Sequence, residues 1–98
     1  MLSLTTGGPA AMYSPRGLNG PIDMLLYPIN HGILHFVGFD VLPPFVAYAV
    51  TRSSPDQRRA SLQDYVQRLR TWETAKPLIF HALDDYDETL QLKADKQP

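Results

Sequence analysis

Charge is spread very unevenly along this chain, and that constrains what it can fold into. Residues 1–51 carry only Arg16, Asp23 and Asp40, and every other Lys, Arg, Asp and Glu follows them. A free protein surface needs more charge than the first half offers. That half is therefore expected to be covered by a core, a partner subunit or a cofactor. The chain has 98 residues, enough for one small domain whose core is marginal, because short chains bury a smaller share of their surface. It has no cysteine, which removes disulfides, thiolate metal sites and a thiol nucleophile together. The net charge of -1 gives no basic stripe for nucleic acid. Met1-Leu2-Ser3-Leu4 has neither a basic n-region nor a long apolar h-region, so a cytoplasmic location is expected. No apolar run reaches the roughly 18–20 residues that span a bilayer. The longest candidate, 22–37, is interrupted by Pro28, Asn30 and His31.

Leu2 to Thr6 is a β-prone run that stops at Gly7-Gly8. Residues 7–21 hold Gly7, Gly8, Gly17 and Gly20 with Pro9, Pro15 and Pro21, a loop by composition. Loops of that length are often functional. Ile22, Leu25, Leu26, Ile29, Ile33, Leu34 and Val37 then recur at helical spacing. A kink is expected at Pro28 and a stop at Gly38. Phe39 to Leu42 reads as a strand, Pro43-Pro44 as a bend and Phe45 to Val50 as its continuation, apolar enough to be covered on both faces. Ser54, Pro55 and Gln57 form an N-cap, a first-turn proline and a capping box. The helix they open is expected to bury Leu62, Tyr65, Val66, Leu69 and Trp72, with Arg58, Arg59, Arg68 and Arg70 off that stripe. Residues 81–98 read as a polar tail. The order β-loop-α-β-α implies a parallel pair with a right-handed crossover, and two strands make no stable sheet alone.

Taken singly, the residues that stand out have ordinary explanations. Thr5 to Gly8 is an everyday strand end, and Tyr13 can simply pack against its loop. Phe36 on a helical stripe is core by default, and Arg58-Arg59 is a solvated helix face. Asp84 to Glu88 is a solvated turn. His31 and His35 share a helix face, but no third ligand is spaced with them, so no metal is expected.

The whole pattern points further. The run TTGGPAAMYSPRGLNG, from Thr5 to Gly20, resembles the flavin loop of the NAD(P)H:quinone oxidoreductases. The following PIDMLLYPINHGILHFVGFDVLPPFVAY resembles that family's dimer-forming helix and last strand. The likeness runs from about residue 2 to about 80. It implies a flavodoxin-like α/β fold, a doubly wound parallel sheet of five strands with FAD at their carboxyl ends, as open α/β sheets generally bind ligands. This chain would supply the C-terminal half, residues 1–80, with the loop that holds the flavin phosphates in a missing upstream half. By the same resemblance, Thr5, Thr6, Gly7 and Gly8 contact the flavin through backbone, and Tyr13 is the phenol at its pyrimidine edge. Gly8 and Met12 line the floor where NAD(P)H and quinone alternate, Phe36 lines the other subunit's pocket, and Arg58 approaches the adenine end. The family pairs the tyrosine with a histidine, where this chain has Asn19. Asn can donate a hydrogen bond but cannot take up a proton near neutral pH, so the relay is in question.

The implied chemistry is a hydride passed from NAD(P)H to FAD and then to a quinone. Two other readings stand beside it. One is a non-catalytic module that dimerises through helix 22–37. The other is an ancillary flavoprotein of a potassium-efflux channel, as some relatives of this fold are.

Overall fold

A computed structural model describes residues 1–98. Its elements are β1 (Ser3–Thr5), α1 (Ile22–Ile29), β2 (Phe45–Ala47) and α2 (Pro55–Arg70), joined by short 3-10 turns and one π-helical segment. The strands form a two-stranded parallel sheet with Ser3 opposite Phe45, Leu4 opposite Val46 and Thr5 opposite Ala47. This is the expected β-loop-α-β-α order.

The second strand is shorter than the sequence implied. Phe39 to Leu42 is not a strand. A ladder needs a partner, and β1 offers three residues, which β2 takes up. Pro43 and Pro44 have no N–H to extend the pairing. Buried Val41 instead accepts the Leu78 N–H at its carbonyl at 2.7 Å, tying the chain beyond α2 to the segment that leads into β2. At the other end the strand stops at Ala47, and the chain turns at Ala49, which is left-handed.

Pro28 does disturb α1, through a π-helix rather than a simple kink. Lacking an N–H, it leaves a gap in the helical ladder. The Asn30 N–H then divides between the Leu26 and Tyr27 carbonyls, and residues Asn30–His35 widen to π geometry, with the Phe36 N–H on the His31 carbonyl. Gly38 ends the segment with a positive φ of 101°.

Helix α2 begins as its sequence demands: Ser54 Oγ accepts the Gln57 N–H at 3.1 Å, and Gln57 Oε1 accepts the Ser54 N–H at 2.8 Å. Its packing face differs from expectation. Tyr65 meets Ser3 Oγ at 3.0 Å and the Phe45 ring edge-on at 4.9 Å. Arg68 donates to the Pro43 carbonyl at 2.6 Å and lies over the Phe45 ring. Arg58 lines the cleft between this face and the sheet. Arg58 and Arg68 thus sit on the sheet side, while Leu62, Val66, Leu69 and Trp72 stay exposed. The proline carbonyls and the Phe45 ring reward Arg68 and Tyr65, and nothing in the chain covers the apolar remainder of the stripe.

The tail is organised, with Phe80 packed against His31 and His35 at 5.2 and 4.9 Å. Asp84 to Glu88 is more than a solvated turn: a tight turn at Leu83–Asp85 leads to Tyr86, which bridges antiparallel to Leu92. The core remains small. Only Leu26, Val41, Thr6 and Asn30 are buried. The radius of gyration is 16.2 Å, against about 13 Å for a compact domain of 100 residues.

Candidate functional site

The carboxyl ends of β1 and β2 lie side by side, and there the glycine loop and the turn after β2 are tied together. The Thr6 N–H donates to the Ala47 carbonyl at 3.0 Å, and the Val50 N–H returns to the Thr6 carbonyl at 3.1 Å. The Gly8 carbonyl accepts both the Ala49 N–H at 3.0 Å and Thr6 Oγ1 at 2.8 Å. Thr6 is buried by these bonds. Gly7 faces open space, and the backbone N–H groups of Gly7 and Gly8 have no acceptor within the chain. Two adjacent amide donors at the end of a parallel strand are an arrangement suited to an electron-rich ligand edge.

The next turn places side chains over these amides. Pro9 accepts the Met12 N–H, winding Ala10–Tyr13 into a 3-10 turn. A β-carbon on Gly8 would come within 2.5 Å of Met12 Sδ and 3.6 Å of Tyr13 Cε2. A side chain there would displace the Met12 thioether, and Gly8, Met12 and Tyr13 form one cluster. Gly17 is the more tightly constrained, because a β-carbon there would overlap the Ala11 and Met12 backbone. The Asn19 N–H donates to the Met12 carbonyl at 2.9 Å, which brings exposed Asn19 back beside the cluster. Tyr13 packs against Tyr48 with ring centroids 5.8 Å apart, and neither hydroxyl has a partner within the chain.

The other expected residues lie apart. Thr5 and Arg58 line a cleft of about 370 Å³ between sheet and α2. Phe36 is 83% exposed and lines a cleft of about 430 Å³ with Tyr27, His35 and the tail residues Tyr86 and Leu90. No three His, Cys, Asp or Glu side chains cluster as metal ligands, and His31 and His35 are stacked rings 5.5 Å apart. No helix is long and apolar enough to cross a membrane. Two carboxyls are held below the ordinary Asp value, both in the tail: Asp85 by a hydrogen bond from His81 with help from Lys96, and Asp87 by bonds from Thr89 and Gln91. The sequence reading missed Tyr48 and the backbone of Ala47 to Val50, because an apolar run gives no sign of a left-handed turn at an alanine.

The family model for the flavodoxin-like fold matches residues 1–72. The chain belongs to that family. Within this flavodoxin-like family it is 46% identical over 85 residues to a ribosyldihydronicotinamide dehydrogenase-like protein of Penicillium crustosum, covering 87% of this chain and 31% of that protein. It is 41% identical over 92 residues to NAD(P)H dehydrogenase (quinone) 1 of Rattus norvegicus, covering 93% and 33%. The structure superimposes on a Klebsiella pneumoniae protein described as a quinone reductase with a TM-score of 0.92 and 40% identity, over 100% of this chain and 40% of that one. The chain thus spans about a third of the length of the curated relatives it matches.

Proposed function

We propose that this flavodoxin-like chain supplies the isoalloxazine-facing part of an FAD-dependent NAD(P)H:quinone oxidoreductase. The observation that carries the reading is the pair of unpartnered amides at Gly7 and Gly8, set at the carboxyl ends of two parallel strands beside Met12 and Tyr13. It is supported by relatives named as quinone dehydrogenases at 41–44% identity. Bound FAD would supply two-electron transfer between NAD(P)H and a quinone.

The chain's own residues would hold and tune that group. The free Gly7 and Gly8 amides would donate to the flavin, stabilising the negative charge that it gains on reduction. The bare α-carbon of Gly7 leaves room for a flat ring. Tyr13 holds or releases a proton at its free hydroxyl, and Asn19 orients or donates without titrating. Gly8 and Met12 form the floor beneath the exchanging substrates. Thr5 and Thr6 complete the backbone contact, and Arg58 extends toward the adenine end. Phe36, exposed in this chain, would line the other subunit's pocket in a dimer. A cytoplasmic location, expected from the N-terminal sequence, belongs to the same proposal.

The other strand-to-helix turn, residues 48–54, is committed internally. Ser53 Oγ donates to the Ala49 carbonyl, Ser54 accepts the Gln57 and Arg58 N–H groups, and Pro55 has no N–H, so few backbone amides are left there for a pyrophosphate. The purified chain is therefore expected to show neither sub-micromolar FAD binding, followed by flavin fluorescence, nor quinone reduction. Adding the upstream polypeptide should restore both. Flavin binding that stays absent once the two parts are joined would overturn the proposal and favour a non-catalytic module.

A further inference from the structure

Tyr48 is placed at the site without a role in the proposed chemistry. It sits between Ala47, the last residue of β2, and the left-handed Ala49, φ 53°. A side chain other than glycine rarely adopts that backbone, and such residues gather at functional sites where the surroundings impose them. Here the imposing groups belong to the site itself. The Ala49 N–H donates to the Gly8 carbonyl, and Ser53 Oγ donates to the Ala49 carbonyl at 2.9 Å. The chain therefore reverses directly after Tyr48, against the glycine loop. The reversal lays the Tyr48 ring on Tyr13 at a centroid distance of 5.8 Å and an interplanar angle of 41°, inside the range of roughly 4.5–7 Å that aromatic pairs prefer. Gly8 also adjoins the Tyr13 ring, its β position 3.6 Å from Cε2. The two neighbours leave the Tyr13 hydroxyl unpartnered and fix the plane of the ring that carries it.

We propose that Tyr48 is a positioning residue for Tyr13, holding its ring so that the hydroxyl stays presented at the carboxyl ends of the strands. The inference rests on the flavin-facing role given to Tyr13. Ring packing is what matters, so Tyr48→Phe should preserve the function, whereas Tyr48→Ala and the volume-keeping Tyr48→Leu should lose it.

The test uses the 98-residue chain with carbon-13-labelled tyrosine rings, followed by NMR with and without millimolar FMN. In wild type and Tyr48→Phe, the Tyr13 ring signals should be alike and should move on adding FMN. In Tyr48→Leu and Tyr48→Ala, those signals should lose their ring-current shift, and the FMN response should fall several-fold, with Thr6 and Gly8 amide signals in place. Tyr13 signals that are unchanged in both variants would overturn the positioning role. A wild-type chain whose Tyr13 ring ignores FMN even after the upstream polypeptide is added, while still responding to Tyr48→Leu, would overturn the flavin reading, and with it a role that acts through Tyr13.

Discussion

Tyr13 and Asn19 are brought to the same turn by the Met12 backbone, yet their chemistry is unequal. A phenol has a proton to exchange near a developing charge, whereas an amide can only orient or donate. In the assembled flavoprotein, Tyr13→Phe should slow flavin reduction by roughly tenfold or more, the usual scale for one acid–base group. Asn19→Ala should have the smaller effect. Stopped-flow reduction by NAD(P)H measures both, and a wild-type rate for Tyr13→Phe would remove the phenol from the mechanism. Ala49 offers a stability test at the same scale. Its left-handed backbone is costly for any side chain with a β-carbon. Ala49→Gly should therefore stabilise the chain by about 0.5–1 kcal/mol despite the looser unfolded state. Urea unfolding of the two proteins decides it.

Among the elements, the tail hairpin is the one whose stability should follow pH. Asp87 Oδ1 accepts from the Thr89 N–H, Thr89 Oγ1 and the Gln91 N–H at 2.6–3.1 Å. Asp85 is bonded by His81 and the Ala82 N–H, with Lys96 nearby. Both carboxyls lie below the ordinary Asp value of 3.8 in the folded chain. Their contribution is fully present above 3.8 and is lost as pH falls through the lower folded values. The hairpin should therefore loosen below pH 3.8, with Thr89 and Gln91 amide exchange accelerating before that of the α2 amides. Simultaneous loss of both would show that the carboxyls do not hold the tail. The caps of α2 were legible in the sequence, because a capping box acts within four residues. The π-helical answer to Pro28 was not, because a missing N–H has more than one geometric remedy.

At the scale of the whole molecule, the dominant fact is uncovered apolar surface. Met24, Leu25, Ile29, Ile33, Phe36 and Val37 are exposed along α1 and its extension, and Leu62, Val66 and Leu69 along α2. The α1 surface belongs to the nearly uncharged half, and an isologous dimer would hide it. Sedimentation should show mass rising with micromolar concentration, and Ile33→Glu should reverse the rise. A wild-type chain that stays monomeric throughout would refute this interface.

The sequence alone determined whatever depends on near neighbours along the chain: the glycine-rich loop, the α2 cap, the Gly38 stop and the family pattern from Thr5 to Gly20. It also marked the first half as a surface to be covered, since charge is counted without knowing the fold. Only the tertiary structure decided which face of α2 meets the sheet, because Arg68 has its acceptors in Pro43 and Pro44, 24 or more residues earlier. The same holds at the site. Tyr48 reaches Tyr13, and Ala49 takes a left-handed turn, because hydrogen bonds from a loop forty residues upstream outweigh the local preference of an alanine.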